Sequence, residues 1–296
     1  MSSVVDSPGS APLRGAATTH DGTLLREKPQ PFLLTLWTDD PRLAGSADAA
    51  GVDRVGLDLE RIGKAGRQAG LNTWISGHSV ERLAKVGRAL HTARLFARVN
   101  PLWAETAPEV ERLLEHGVEV LMLPMFESAA QLAGFLEIVA GRATVVPLLE
   151  TPAAVADIEA IAALESLGEI HVGLNDLALS MGLRNRFELL ESPELERVSA
   201  VVRGAGLRLG IGGIGRLGDA SLPIAPDLLY AQYARLGSSC ALLSRGYTAG
   251  FQARPTMRGQ ISASRRRLDY WRTAGPEPLA RAREEFRTAL MRAPGW

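Results

Sequence analysis

The sequence predicts a (β/α)8 barrel with a C-terminal helical extension. Eight short runs rich in Val, Leu and Ile recur along the chain, apolar on both faces as strands covered by helices must be. Between them lie longer segments with apolar residues at three- and four-residue spacing, the helical period. Eight such units within about 215 residues suit a single parallel barrel. An open doubly wound sheet is the runner-up, because it also covers both faces of its strands.

The elements follow in chain order. Residues 1–30 are rich in Ser, Gly, Pro, Ala and Thr and read as a mobile tail. They lack a basic stretch followed by an apolar core, so they do not read as a secretory leader, and a cytoplasmic location is expected. The barrel is expected over 31–250. Its strands are "FLLTLW" (32–37), "RVGLDLE" (54–60), "ARLFARVN" (93–100), "VEVLMLP" (118–124), "ATVVPLLE" (143–150), "EIHVGL" (169–174), "LRLGIGG" (207–213) and "CALLSR" (240–245). Helices are expected in "SVERLAKVGRAL", "TAPEVERLLEHG", "SAAQLAGFLEIVAG", "PAAVADIEAIAAL" and "SPELERVSAVVRGAG", several of them ending at Gly. Residues 251–296 read as two further helices with no strand between them. In the second, Leu279, Phe286 and Leu290 form an apolar stripe that must pack on the barrel or on a neighbouring subunit. The neighbour is preferred, which predicts a homo-oligomer through these helices.

Bulk properties exclude some classes. Lys plus Arg equals Asp plus Glu, 33 each, so no net field draws the chain to nucleic acid or membrane. The run Arg265, Arg266, Arg267 reads as a solvated helix face. No stretch reaches the ~18 apolar residues of a membrane span. The single cysteine, Cys240, excludes an internal disulfide and a thiolate metal cluster, and reads as a small core residue.

In parallel barrels the chemistry sits where strands end. Those ends carry Asp58 and Glu60, Arg98 and Asn100, Glu150, then Asn175 and Asp176. Gly212 and Gly213 follow, with Ser244 and Arg245 at the last strand. Four carboxylates at one rim would repel one another, and a divalent cation relieves the conflict. Oxygen ligands without His or Cys point to Mg²⁺ or Mn²⁺. The plainer reading stands beside this one. Asp176 is placed to cap the helix before "LALSMG", and Glu60 has Arg61 and Lys64 to pair with. His171 lies within a strand and reads as a core residue, whereas His78, His91 and His116 read as surface residues. "GIGGIG" (210–215) matches a dinucleotide-binding pattern, but Gly218 and Pro223 follow it and Arg235 stands where an acid is needed. Within a barrel, Gly213 fits close backbone approach to a ligand.

The segment "PLLETPAAVADIEAIAALESLGEIHVGLNDLALSMG" resembles the metal-binding segment of the HpcH/HpaI aldolase and citrate lyase β-subunit family. That pattern is a Glu-Thr pair after one strand, then Gly-x-x-Asp-Leu after the next. Here these are Glu150–Thr151 and Gly173–Leu177. "ARVNP" (97–101), "VLMLPMFESAAQL" (121–132) and "GVDRVGLDLE" (51–60) resemble further strands of the family, so the likeness runs from 32 to about 245.

The resemblance implies a barrel that uses a divalent metal to bind a 2-oxo acid such as pyruvate or oxaloacetate. Glu150 and Asp176 would be the metal ligands and Arg98 the substrate arginine. Backbone amides of Leu174, Asn175 and Asp176 would hold the substrate carboxylate. The implied enzyme is a carbon–carbon lyase working through an enolate, with an unidentified electrophile as second partner. Many aldolases of the family carry His just after the strand-2 Glu, where this chain has Arg61. The citrate lyase branch has an acidic residue there, and this chain keeps only its Lys64 and Arg67. Glu60, acting through water, is then the candidate base. Two other readings remain: a lyase or thioesterase of an acyl-CoA such as malyl- or citramalyl-CoA, and a non-catalytic barrel that binds a 2-oxo acid.

Overall fold

A computed structural model of the chain describes residues 31–67, 76–248 and 257–295. The tail expected at 1–30 lies outside them. Eight parallel strands close into a barrel in sequence order: β1 (Leu33–Trp37), β2 (Arg54–Asp58), β3 (Arg94–Arg98), β4 (Val120–Leu123), β5 (Thr144–Leu149), β6 (Glu169–Val172), β7 (Arg208–Ile214) and β8 (Ser238–Leu243). β8 returns to β1 through the register Leu34 opposite Ala241, which closes the sheet and removes its edges. All eight expected strands are present, each one to three residues shorter or shifted at its ends.

The helices are α1 (Pro41–Ala49), α2 (Lys64–Arg67), α3 (Leu83–Gly87), α4 (Thr106–Glu115), α5 (Ala129–Val139), α6 (Pro152–Ala156), α7 (Ile158–Ala162), α8 (Leu174–Ser180), α9 (Pro193–Gly204), α10 (Pro226–Arg235), α11 (Arg245–Thr248), α12 (Met257–Thr273) and α13 (Pro276–Arg292). Local chemistry sets their starts. The side chains of Asp40, Ser128, Thr151 and Ser192 each accept a main-chain N–H of the first turn. Pro at the first position follows three of these caps, where its missing N–H costs nothing. The helix expected over "PAAVADIEAIAAL" is two, α6 and α7, broken at Asp157.

Strand alternation divides the core in two. Phe96, Val120, Met122, Val146 and Leu148 fill the barrel interior, while a larger apolar layer lies between strands and helices. At the bottom of the interior, Arg54 and Glu169, the first residues of β2 and β6, form a bidentate ion pair with both bonds 2.7 Å long. β2 and β6 are not neighbours in the sheet, so only the interior can bring these side chains together.

The C-terminal helices pack on the barrel that carries them. Phe286 of α13 and Leu268 of α12 are fully buried. Ser264 of α12 accepts the Tyr230 hydroxyl of α10 at 2.9 Å. Arg265 donates to the Phe32 carbonyl at 2.6 Å, and Arg267 grips Asp227. The basic run is thus only partly a solvated face. No helix among the described residues is long and apolar enough to cross a membrane.

Candidate active site

Because the strands are parallel, their C-terminal ends share one mouth, and a cavity of about 640 Å³ opens there. Trp37, Asp58, Arg98, Glu150, Asp176 and Gly213 line it, with Leu174 and Asn175 beside Asp176. Among the strand-end candidates, Glu60 and Asn100 are not on the cavity wall. Glu60 is fully buried and lies beneath it, its carboxylate 3.3 Å from Arg98 and 3.4 Å from Lys64.

Arg98 ends β3 and is held from several sides. Its Nε and Nη2 donate to the two Asp58 oxygens at 2.9 and 2.8 Å. Its Nη1 faces Glu60 and stands 3.7 Å from Glu150 Oε1. The guanidinium lies 5.9 Å from the centre of the Trp37 ring, which stacks on Phe96. Burial disfavours the Arg98 charge, but Asp58, Glu60 and Glu150 outweigh it and raise its pKa further, so the cation is permanent. Burial likewise pushes the Asp58 carboxyl up, and Arg98 and Lys64 reverse that, holding it well below the usual carboxylate range. Lys64 closes the network at 2.6 Å from Asp58.

Glu150 follows β5 and is fixed by its neighbours in sequence. The Thr151 hydroxyl donates to the Phe126 carbonyl at 2.9 Å and caps α6, so the chain turns sharply at the carboxylate. The Glu150 side chain then lies over Gly173, the N-cap of α8. A Cβ at Gly173 would stand 2.5 Å from Glu150 Cγ and 2.6 Å from Oε1, so only glycine leaves the carboxylate its seat. Asp176 sits in the first turn of α8, where an acid suits the helix dipole. The first-turn N–H groups of Leu174 and Asn175 have no intrahelical acceptor, and a glycine cap supplies no side chain to replace one. On the neighbouring strand β7, Gly213 has φ +77, a conformation that favours glycine, at a bulge.

Gly173→Ala is expected to lower turnover by about 10²-fold or more, because an ångström of misplacement at a reacting centre costs that much. Steady-state kinetics beside a thermal melt would check it. Turnover close to wild type would show that Glu150 need not occupy this seat.

The donor set fits a hard dication. Four buried carboxylates, Asp58, Glu60, Glu150 and Asp176, meet two cations, the buried Lys64 and the half-buried Arg98. Of these four, Asp58 is committed to Arg98 and Lys64 and Glu60 is off the wall, which leaves Glu150 and Asp176. Two carboxylates with room for water and ligand oxygens are what Mg²⁺ usually takes from a protein. A different cluster, Glu169, His171 and Cys240, brings its ligand atoms within 4.8 Å of one another. It does not suit a metal. Glu169 gives both oxygens to Arg54, and burial pushes the Cys240 thiol up to about 12. The core readings of Cys240 and His171 hold, with His171 bonded to Glu169 in the interior.

Three residues of the cavity wall were not singled out from sequence: Asp39 after β1, Arg186 beyond α8, and His78. The surface reading of His78 is corrected, for it is 5% exposed and faces the cavity. No spacing marks it, since it lies in a connecting segment rather than at a strand end. Asn100 proves structural, accepting the main-chain N–H of Arg61 and Ile62. The side chain of Arg245 lies outside the described residues.

The family model HpcH/HpaI aldolase/citrate lyase matches residues 33–209, more than half of the chain. The chain belongs to the HpcH/HpaI aldolase/citrate lyase family. The match spans β1 to the start of β7 and contains Asp58, Glu60, Arg98, Glu150 and Asp176, whereas Gly213 lies beyond it. A 4-hydroxy-4-methyl-2-oxoglutarate aldolase of Chaetomium globosum is 38% identical over 76 residues, which is 25% of this chain and 28% of that protein. The chain thus matches little more than a quarter of that relative's length. Among solved structures, an HpcH/HpaI aldolase/citrate lyase family protein from Burkholderia cenocepacia J2315 superposes with a TM-score of 0.54 at 20% identity, covering 82% of this chain and 95% of its own. An HpcH/HpaI aldolase from Desulfitobacterium hafniense DCB-2 gives 0.53 at 16% identity, over 77% and 95%. Likeness at that identity speaks to the barrel alone.

Proposed function

We propose that this family member is a divalent-metal-dependent lyase that makes or breaks a carbon–carbon bond beside the carbonyl of a 2-oxo acid such as pyruvate or oxaloacetate. The observation that carries the reading is the joint placement of Glu150 and Asp176 on one cavity wall, facing a permanently charged Arg98. A bound Mg²⁺ or Mn²⁺ would supply Lewis acidity to the carbonyl. The chain's own residues would do the rest. Glu150 and Asp176 would hold the ion, and the first turn of α8 would receive the substrate carboxylate. Arg98 stabilises negative charge as it develops, without reorganising, because Asp58 already fixes its orientation. Glu60 and Lys64 keep that arginine in place. The full burial of Glu60 beneath the cavity speaks for this supporting part rather than for direct proton transfer.

Release of pyruvate from 4-hydroxy-2-oxo acids, measured after chelation and again with added Mg²⁺, tests the reading. Metal-restored turnover is the expected result. Turnover that chelation leaves unchanged, or none in either condition, would contradict it. Malyl- and citramalyl-CoA in the same assay separate the acyl-CoA alternative.

Arg98→Lys is expected to weaken 2-oxo acid binding by about 10- to 100-fold, the worth of one charge-assisted hydrogen bond. A lysine cannot hold Asp58 with a fork and still present a donor to the cavity. Titration with oxalate would check this, and unchanged affinity would remove Arg98 from the substrate contacts.

A further inference from the structure

Arg61 follows Glu60 just beyond β2. Its guanidinium donates to the carbonyls of Ser76 and His78, and so clamps the segment that brings His78 to the cavity. The Ser76 hydroxyl donates to the Asp58 carbonyl at 2.7 Å and accepts the His78 N–H at 3.1 Å. The His78 ring is therefore built into the end of β2.

Its hydrogen bonds fix its proton. The main-chain N–H of Asp58 donates to His78 Nδ1 at 3.1 Å. A main-chain N–H cannot accept, so Nδ1 carries no hydrogen and the neutral ring bears its proton on Nε2. A second proton would set two donors against each other. Burial lowers the ring's proton affinity below that of an ordinary histidine, and Arg61 and Lys64 add to this, against the pull of Asp39 and Asp58. Nε2 stands 3.9 Å from Asp39 Oδ1. The other Asp39 oxygen lies 3.9 Å from Arg82 Nε. Both Asp39 and His78 line the cavity.

We propose that His78 serves the reaction as a neutral hydrogen-bond donor, presenting Nε2–H to the carbonyl oxygen of the electrophile. The inference rests on the 2-oxo acid chemistry proposed above. As the nucleophilic carbon bonds to the electrophile's carbonyl carbon, the C=O π pair moves onto oxygen. The Nε2–H shares its hydrogen with that oxygen and keeps it, and water supplies the proton of the final hydroxyl. Cleavage runs the same steps in reverse, so His78 never needs to become an imidazolium.

The test compares wild type, His78→Ala and His78→Gln, whose amide can place a donor close to Nε2. His78→Ala is expected to lower kcat by about 10²–10³-fold, the loss found for a single oxyanion donor. KM for the 2-oxo acid should stay within about threefold, since ground-state binding does not use His78. His78→Gln should recover at least about tenfold in kcat over the alanine variant, as a retained donor implies. Nitrogen-15 NMR of the wild type at pH 7 should show a neutral ring protonated at Nε2. Wild-type turnover with an unimpaired alanine variant, a glutamine variant no better than alanine, or a ring protonated at Nδ1 would each overturn this inference alone. A wild type inactive on every 2-oxo acid would overturn the proposed function and this inference with it.

Discussion

Alanine at Glu150 or at Asp176 is expected to remove metal-dependent turnover, each by more than the ~10²–10³-fold that loss of one preorganised donor costs. Each carboxylate would supply half of the protein's ligands to the ion. Asp58 cannot turn toward the cavity without releasing Arg98 and Lys64. The fold should survive both changes. Each removes one negative charge from a cluster in which carboxylates outnumber cations, and Arg98 keeps Asp58 and Glu60 as partners. Steady-state kinetics with circular dichroism would check the prediction. Near-full activity in either variant would contradict the assignment of these two carboxylates to the ion.

A second large effect is expected far from the cavity. Glu169→Ala should destabilise the barrel by about 3–5 kcal/mol, because it leaves a buried charge without its partner. Arg54 has side-chain exposure of 7% and, unlike a lysine or histidine, cannot escape by giving up its proton. At about 2–4 °C per kcal/mol for a large domain, Tm should fall by roughly 6–20 °C. Replacing both partners with apolar side chains of similar volume should recover much of this, since no charge is then stranded. Thermal denaturation of the single and double variants would check both statements, and a single variant as stable as wild type would refute the first.

The same pair gives a pH dependence. Burial raises the Glu169 pKa, but His171 and Arg54 outweigh it and hold the carboxyl well below its usual range. A carboxylate depressed in the folded state stabilises at pH above its unfolded value of about 4.3. That stability is lost as pH falls from there toward the lower folded value. Wild-type stability should therefore drop steeply in acid, and the apolar double variant should show a shallower decline.

Much of the barrel was legible because buried strands and amphipathic helices have different periods. Helices without an apolar stripe were missed. α1, "PRLAGSADA", is built from small residues and is marked only by the Asp40 cap and Pro41. The sequence also runs the sixth strand on to Leu174, because "HVGL" stays apolar. What ends it at Val172 is spatial, since Gly173 must leave room for Glu150 from the strand before. Strand-end reading located Arg98, Glu150 and Asp176 because barrel closure brings every strand end to one mouth. It failed for His78, whose approach depends on Arg61 and Ser76 bonding to a segment with no periodic signal. It also gave no sign that Arg54 and Glu169 meet, because partners 115 residues apart in sequence become neighbours only across a closed barrel.

The most direct test is a crystal structure grown with Mn²⁺ and oxalate, read from the manganese anomalous signal. The account predicts one peak at the strand-end mouth, about 2.1 Å from an oxygen of Glu150 and from one of Asp176, with oxalate completing the shell. A peak at Glu169, His171 and Cys240 instead, or Glu150 and Asp176 turned apart with no density between them, would contradict it.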